Sequence, residues 1–439
     1  MKGLGLRGLS RNIGATLVRQ LVAVLLKLVK AVIIARVYGA EGNGAYAIAF
    51  LLPSMLASFL NLGVAPANVY YLGSNQVSVR QLLAANIRIF APVATFGLAL
   101  GFAILHWKSE TFFPGVPPLV LWFALAGFPL GLLGNYLNSV FQGLQQFRVY
   151  NKLAIIPPAS LLLFVVALTL LGNRELAFLV GAQLVSQLAG IALTIRFLFP
   201  ILKKEPREPF PENFIKKAIG YGWKAHLSNI LAFVNYKADV FLTNLFLGPA
   251  AVGVYVVAVA LAEKPWLISQ AVSTVLLPRL SQLSSDETKR KALTPLIARW
   301  VLLVTLLGSL VLALLGFWLI FLVFGPEYSE AILPLWILLP GIVLTSCSRV
   351  LANDIAARGR PELNMYTSIV VVVVNVIGNL ILIPLYGLPG AAAATTIAYT
   401  LNLALRIIVY GRFTGNRWFE SLLVTTSDFR MLQSAIRAL

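Results

Sequence analysis

Twelve apolar runs, each of about 20 residues or more and separated by short breaks of Gly, Pro and charge, restrict what this chain can fold into. As a helix, 20 residues span about 30 Å, the hydrocarbon thickness of a bilayer. The runs fall near 13–37, 44–63, 80–105, 118–144, 150–171, 176–201, 218–246, 250–277, 293–324, 330–357, 364–386 and 389–412. Composition agrees: 59% of the 439 residues are apolar and 12% are charged. Soluble domains carry about 25% charged residues, so this chain has too few to cover a water-exposed body. An all-α integral membrane protein is expected.

The chain carries 35 Lys and Arg against 16 Asp and Glu, a formal +19. On a soluble protein that surplus would point to nucleic acid. Here it is first a matter of topology. An even number of spans puts both termini on one side, and that side collects 24 cations, among them Lys203, Lys204, Lys216, Lys217, Arg349 and Arg406. The opposite loops hold Lys108 and Arg174. The positive-inside rule places both termini in the cytoplasm, with anionic lipid and no nucleic acid against the cations. The single cysteine, Cys347, excludes an intramolecular disulfide. The first run holds Arg19, Lys27 and Lys30, so it reads as a retained helix and not as a cleaved signal. External loops are short, the longest running from about His106 to Pro117, so the function is expected between helices.

The halves repeat. Gly39, Gly44, Tyr46 and Ala49 recur as Gly248, Gly253, Tyr255 and Ala258; Pro53 and Pro66 recur as Pro265 and Pro278; Gly143 and Tyr150 recur as Gly359 and Tyr366. The offset grows slowly along the chain, which marks two parallel six-helix lobes, a transporter architecture with its substrate site at the interface of the repeats. The expected division is a lobe over 1–202, a Pro-rich cytoplasmic linker over 203–217, a lobe over 218–415 and a cytoplasmic tail over 416–439.

Nine cations remain inside the spans, where each costs about 2.5–3.5 kcal/mol if it faces lipid. Arg19, Lys27 and Lys30 share one face of the first helix, which is expected to line a wet cavity; snorkelling to the headgroups is the alternative and serves Arg19 well. Arg36 and Arg196 read as interfacial anchors, and Arg88, two turns into the third span, suits either role. The seventh span contributes Lys224, His226, Lys237 and Asp239, with the last two about 200° apart on the helix. His226 reads as a packing residue. Glu263 and Lys264 stand before Pro265, which frees a carbonyl within the eighth span. A structural ion-pair network is the alternative for Asp239 and Glu263. Asn135, Asn138, Gln142, Gln183, Gln187, Asn375, Asn379, Thr395, Tyr399, Asn402 and Arg406 add polar stripes on several helices. Any one pair reads as interhelical glue, and together they suggest a hydrated interior.

A cavity rich in cations attracts phosphate, and amides and hydroxyls suit sugars. The stretch Ala35 to Tyr46 resembles the first loop of the polysaccharide (O-antigen-type) flippases of the multidrug/oligosaccharidyl-lipid/polysaccharide (MOP) exporter superfamily. So do Tyr236-Lys237-Ala238-Asp239, Gly248 to Tyr255, Phe324 to Tyr328 and Gly387 to Ala391. The resemblance implies twelve transmembrane helices in two pseudo-symmetric six-helix bundles around a central cationic cavity. It also implies alternating access for an undecaprenyl-pyrophosphate-linked glycan, moved to the external leaflet of a bacterial or archaeal cytoplasmic membrane. On that implication Arg19, Lys27, Lys30, Lys224, Lys237 and Lys264, with Arg88, are candidates for substrate contact, and Asp239 and Glu263 for coupling to Na⁺ or H⁺. Position 237 carries Lys where family members often have Arg. Asn416 to Leu439 is too polar for two more spans, unlike the fourteen-helix lipid II flippase branch. A monomer without cofactor or metal is expected, with polysaccharide polymerase and other assembly proteins as partners. A drug exporter of the same superfamily would need more carboxylates, and a membrane glycosyltransferase or polymerase would need a sizeable acidic external loop. No catalytic constellation is visible.

Overall fold

The computed structural model describes residues 6–205, 209–282 and 287–423; within these, the side chains of 6–19, 224–225, 274–275, 277–279, 281–282 and 418 lie outside the described set. Every regular element among the described residues is helical. Among the described residues, eight helices are long and apolar enough to cross a membrane. Their outward faces carry Leu163, Leu170, Leu314 and Leu385, all exposed. Such faces suit lipid, which competes with no hydrogen bond.

The first helix, α1 (Leu6–Ala49), is interrupted at Gly39. Lys30 and Tyr46 would lie about 24 Å apart along a straight helix, yet the Lys30 ammonium is 5.3 Å from the Tyr46 ring centroid. The chain therefore folds back at Gly39. The helix α9 (Phe214–Ala262) does the same at Gly248, where the Tyr255 hydroxyl donates to Asp239 Oδ2 at 2.9 Å. In α13 (Pro361–Thr414) the reversal is at Gly387, and Arg406 Nη1 reaches Asn364 Oδ1 at 2.6 Å. Gly39 (φ 69°, ψ −179°) and Gly248 (φ 81°, ψ 178°) share one backbone conformation that L side chains rarely adopt. The sequence repeat that pairs them is thus a repeat of conformation.

Between these hairpins the order is α2 (Leu51–Leu60), α3 (Val64–Gly73), α4 (Val79–Phe112), α5 (Pro118–Leu125), α6 (Gly127–Gly143), α7 (Phe147–Leu170) and α8 (Leu176–Lys204). After α9 come α10 (Trp266–Gln282), α11 (Glu287–Leu319), a π turn over Ile320–Phe324, a 3₁₀ turn over Pro326–Ala331, α12 (Ile332–Ala357) and then α13. Two expected spans and one repeat pairing change. The second span does not end at 63: Gly63, at φ 69°, turns the chain, and α3 continues to Gly73. The eighth span is broken at 263–265, because Pro265 offers no N–H and the Lys264 and Trp266 amides bond locally to the Leu261 and Glu263 carbonyls. The repeat register also shifts. Gln145 and Gly359 both have positive φ, and each sits in a helix end closed by the same pair of bonds, Gln145 N to Gln142 O with Gln146 N to Phe141 O, and Gly359 N to Ala356 O with Arg360 N to Ile355 O. The partner of Gly359 is therefore Gln145, two residues beyond Gly143.

The chain forms two compact units, Met1–Phe233 with Leu247–Gly253, and Val234–Phe246 with Val254–Leu439. In the first, α1 packs along α7, α7 on α8, and α3 and α8 on α6. The two repeat-related loops meet there reciprocally. A Cβ on Gly44 would run into the Pro249 carbonyl, and one on Gly253 into the Ala40 carbonyl. Asn43 Nδ2 adds a bond to Gly253 O at 3.1 Å. In the second unit, α12 packs on α10, α11 and α13. Asp354 of α12 is fully buried and accepts from Arg290 Nε at 2.7 Å, Thr294 Oγ1 at 3.2 Å and Arg358 Nε at 3.2 Å, closing the end of α11 against α12.

Candidate substrate and ion site

In the first unit, the expected ladder on α1 is described from Lys27 onward; the Arg19 side chain lies outside the described residues. Lys27 is exposed and Lys30 half-buried. Lys30 sits over the Tyr46 ring, and the Tyr46 hydroxyl donates to Gln183 Oε1 of α8 at 3.0 Å. The Gly39 hairpin makes this arrangement, since it lays Tyr46 back beside the ladder. A cation–π contact satisfies one face of an ammonium and leaves its donors available to an anion. Arg88 stands elsewhere in the unit: exposed on α4, it lies over Phe210 at 4.2 Å. Phe210 precedes α9 in the 203–217 segment. His226 is buried beside Trp223, with ring centroids 5.5 Å apart; it bonds the Phe59 backbone, and its Nδ1 is buried without a partner. The Lys224 side chain lies outside the described residues.

In the second unit four of the expected residues come together. The Gly248 hairpin brings Lys237 and Asp239 back alongside the break at 263–265, and Glu263 lies within electrostatic reach of Lys237, Asp239 and Lys264. Lys237 is exposed, Glu263 and Lys264 are half-buried and Asp239 is buried. Asp239 takes its own hydrogen bonds from the Val240 amide at 2.7 Å and from Tyr255. Tyr255 also meets Thr395, and Asn375 Nδ2 reaches Thr395 Oγ1 at 3.5 Å. Asn379 Nδ2 bonds the Asn375 carbonyl at 2.8 Å, and its own Oδ1 is buried without a partner. The result is a line of oxygens, one carboxylate, two hydroxyls and two amides, inside an apolar bundle. Such a set can take a proton or a small monovalent cation.

For α13 the same bonds agree with the interhelical-glue reading of the polar stripes. Asn375, Thr395 and Arg406 are buried and pair across the hairpin, and Arg406 Nε also bonds Asn402 at 2.8 Å. These residues hold two helices together. Gln183 likewise serves Tyr46. By contrast Asn135 and Gln142 of α6 are exposed.

Sequence reasoning missed one arginine here. Arg349 and Arg406 both count as cytoplasmic cations near span ends, and Arg406 also belongs to the polar stripe of the last span; Arg406 is buried in α13, and Arg349 is half-buried in α12, its guanidinium 5.1 Å from the Trp266 ring centroid. Trp266 is buried, donates its Nε1–H to Ile342 O at 3.2 Å, and lies between Tyr236 and Tyr399 at centroid distances of 5.6 and 5.7 Å. The available signal was Pro265, which places Trp266 at the start of a new helix. Among the described residues no group of three His, Cys, Asp or Glu could hold a metal.

The profile of a family described as "Polysaccharide biosynthesis protein" matches residues 33–333. A relative from Haloferax volcanii, named "Probable low-salt glycan biosynthesis flippase Agl15", is 28% identical over 233 residues. That alignment covers 51% of this chain and 48% of the relative, so the match spans about half of its length. Among solved structures, "Lipid II flippase MurJ, inward closed conformation" superposes with a TM-score of 0.74 at 16% identity, over 89% of this chain and 86% of that one. A multidrug resistance MATE family transporter of the MOP superfamily, inward-facing, gives 0.64 at 15% identity, over 89% and 94%. At such identities the likeness is one of fold.

Proposed function

Because the chain belongs to the polysaccharide biosynthesis protein family, whose resemblance to MOP-superfamily flippases its sequence already carries, we propose that it is a lipid-linked oligosaccharide flippase. It moves an undecaprenyl-pyrophosphate-linked glycan from the cytoplasmic to the external leaflet by alternating access of two six-helix bundles. The observation that carries this reading is the retention of Lys27, Lys30 and Lys237 in apolar helices and of Lys264 at the break between two of them, against Asp239 and Glu263 as the matching carboxylates. Charge is expensive in hydrocarbon unless a ligand or water meets it, and a cationic surplus suits an anionic headgroup. A drug exporter of the same superfamily would invert that balance. Arg19, Lys224 and Arg88 extend the proposed contact set.

Asp239, supported by Tyr255, is the proposed seat of the coupling ion, Na⁺ or H⁺, with Glu263 the second candidate. The protein works as a monomer in a bacterial or archaeal cytoplasmic membrane, with both termini inside, and hands its product to a polysaccharide polymerase. Deletion of the gene is expected to trap a lipid-linked sugar in the inner leaflet, identifiable by mass spectrometry, and a Lys27→Gln/Lys30→Gln double variant is expected to restore less than about a tenth of export at equal protein level. Full export by that variant would remove the cationic ladder from the mechanism.

A further inference from the structure

We infer that a groove between α5, α7 and α8 of the first unit is a lipid site, which holds one acyl chain of an ethanolamine phospholipid with the headgroup ammonium at Glu175. The groove encloses about 610 Å³. Its walls are rings from three helices, Phe123 of α5, Phe164 of α7 and Phe178 of α8, all exposed. Its floor is small: Ala167 of α7 and Gly181 of α8 line it, and a Cβ on Gly181 would meet nothing within 4 Å. Glu175, the residue before α8, is the one charged side chain in the lining. It is exposed, and among the described residues no ion pair takes it up.

Depth, polarity and charge select the occupant. From Glu175 to Val185 the lining runs about 15 Å along α8, half the hydrocarbon thickness of a bilayer and so the reach of one leaflet's chains. Apart from Glu175 the lining side chains are apolar, so a sugar or a polar peptide would leave hydrogen-bonding groups unmatched there, whereas methylene groups lose nothing. A chain in this seat touches α5, α7 and α8 together and ties the short α5 to its neighbours. At the mouth, the Glu175 carboxylate repels an anionic headgroup and accepts hydrogen bonds from a primary ammonium, while the quaternary ammonium of a choline lipid has no N–H to give. The chain does not belong to the proposed cargo. Gln183, which accepts from Tyr46 beside Lys30, lies two residues from both Gly181 and Val185 and about 160° round α8 from each. The groove therefore faces away from the lysine ladder.

The experiment uses the full-length protein purified in detergent and offered equal amounts of palmitoyl-oleoyl phosphatidylethanolamine, phosphatidylcholine and phosphatidylglycerol, with retained lipid counted by native mass spectrometry and melting temperature followed in parallel. The natural chain is expected to retain one phosphatidylethanolamine, about threefold over the other two lipids, the scale of an exposed charge pair, and to melt higher with it. Gly181→Phe fills the floor of the groove and is expected to lose both the retained lipid and the stabilisation, whereas Gly181→Ala keeps them. Glu175→Gln is expected to keep a lipid but erase the preference for ethanolamine, and Glu175→Lys to turn it toward phosphatidylglycerol. If Gly181→Phe does not fold, the two variants at the exposed position 175 decide. Phosphatidylethanolamine held by Gly181→Phe as firmly as by the natural chain overturns the inference, and so does a natural chain that retains the three lipids equally or a preference unchanged by either substitution of Glu175.

Discussion

Burial decides which ionic residues matter. Asp354 is fully buried with Arg290, Thr294 and Arg358 around it, so Asp354→Ala would strand the Arg290 guanidinium, which is 3% exposed. Removing one partner of a buried pair costs about 3–5 kcal/mol, and a large drop in melting temperature in detergent is expected. The Arg360–Glu362 pair, at 3.5 Å and open to water, should cost less than about 1 kcal/mol when Glu362 is replaced by Ala. Asp239 belongs to a different test. Asp239→Asn keeps the size and most hydrogen-bonding capacity of the side chain, so the protein should fold, while export should lose its dependence on an imposed Na⁺ or H⁺ gradient. An unchanged gradient dependence in that variant would take Asp239 out of the coupling step. Lys237, Asp239, Glu263 and Lys264 were legible in the sequence because a charge in an apolar run has few excuses. Arg349 was hidden by the same rule that orients the chain, since an Arg near a span end is ordinarily counted as cytoplasmic. Trp266 was hidden because one aromatic residue in an apolar run looks like any other.

At the scale of elements the glycines show where sequence speaks for conformation. Gly39 and Gly248 were found by their spacing alone, and their shared backbone angles are the physical reason both positions hold Gly. The ends of the second span were not legible. Gly63 looks like a terminator, and the helical pattern resumes one residue later because its positive φ redirects the chain without ending it. Gly44 and Gly253 are constrained by approach: each faces a backbone carbonyl, which cannot rotate aside as a side chain can. Gly44→Ala and Gly253→Ala are expected to force the two loops apart, each lowering stability by about 1–3 kcal/mol, the usual cost of overpacking. Gly308→Ala in α11 is the control, since an added Cβ there meets nothing within 4 Å and a helix-interior Ala is favoured over Gly by about 0.5–1 kcal/mol. Melting curves should fall for the first two and stay or rise for the third. Equal effects at all three positions would mean that the crossing of the repeated loops is not tight.

For the whole molecule, the fold class was legible because hydrocarbon leaves a backbone so few choices. The reversal at Gly387 was legible as well, since that glycine falls between the runs expected at 364–386 and 389–412. Orientation rests on loop charge, and the chain supplies a clean way to read it. Its single cysteine, Cys347, is fully buried, so a membrane-impermeant maleimide should leave the natural protein unlabelled. Lys108, Arg174, Lys203 and Arg360 are all exposed between helices or at their ends, where a cysteine disturbs no core packing. With both termini inside, Lys108→Cys and Arg174→Cys should label on intact cells, and Lys203→Cys and Arg360→Cys only after permeabilisation. The two pairs must behave oppositely, because Lys108 and Arg174 are the cations assigned to the external loops and the other two belong to the cytoplasmic set. The reverse pattern would place the cation-rich loops outside and invert the leaflet from which the proposed substrate is taken. Labelling of all four on intact cells would contradict the span assignment itself.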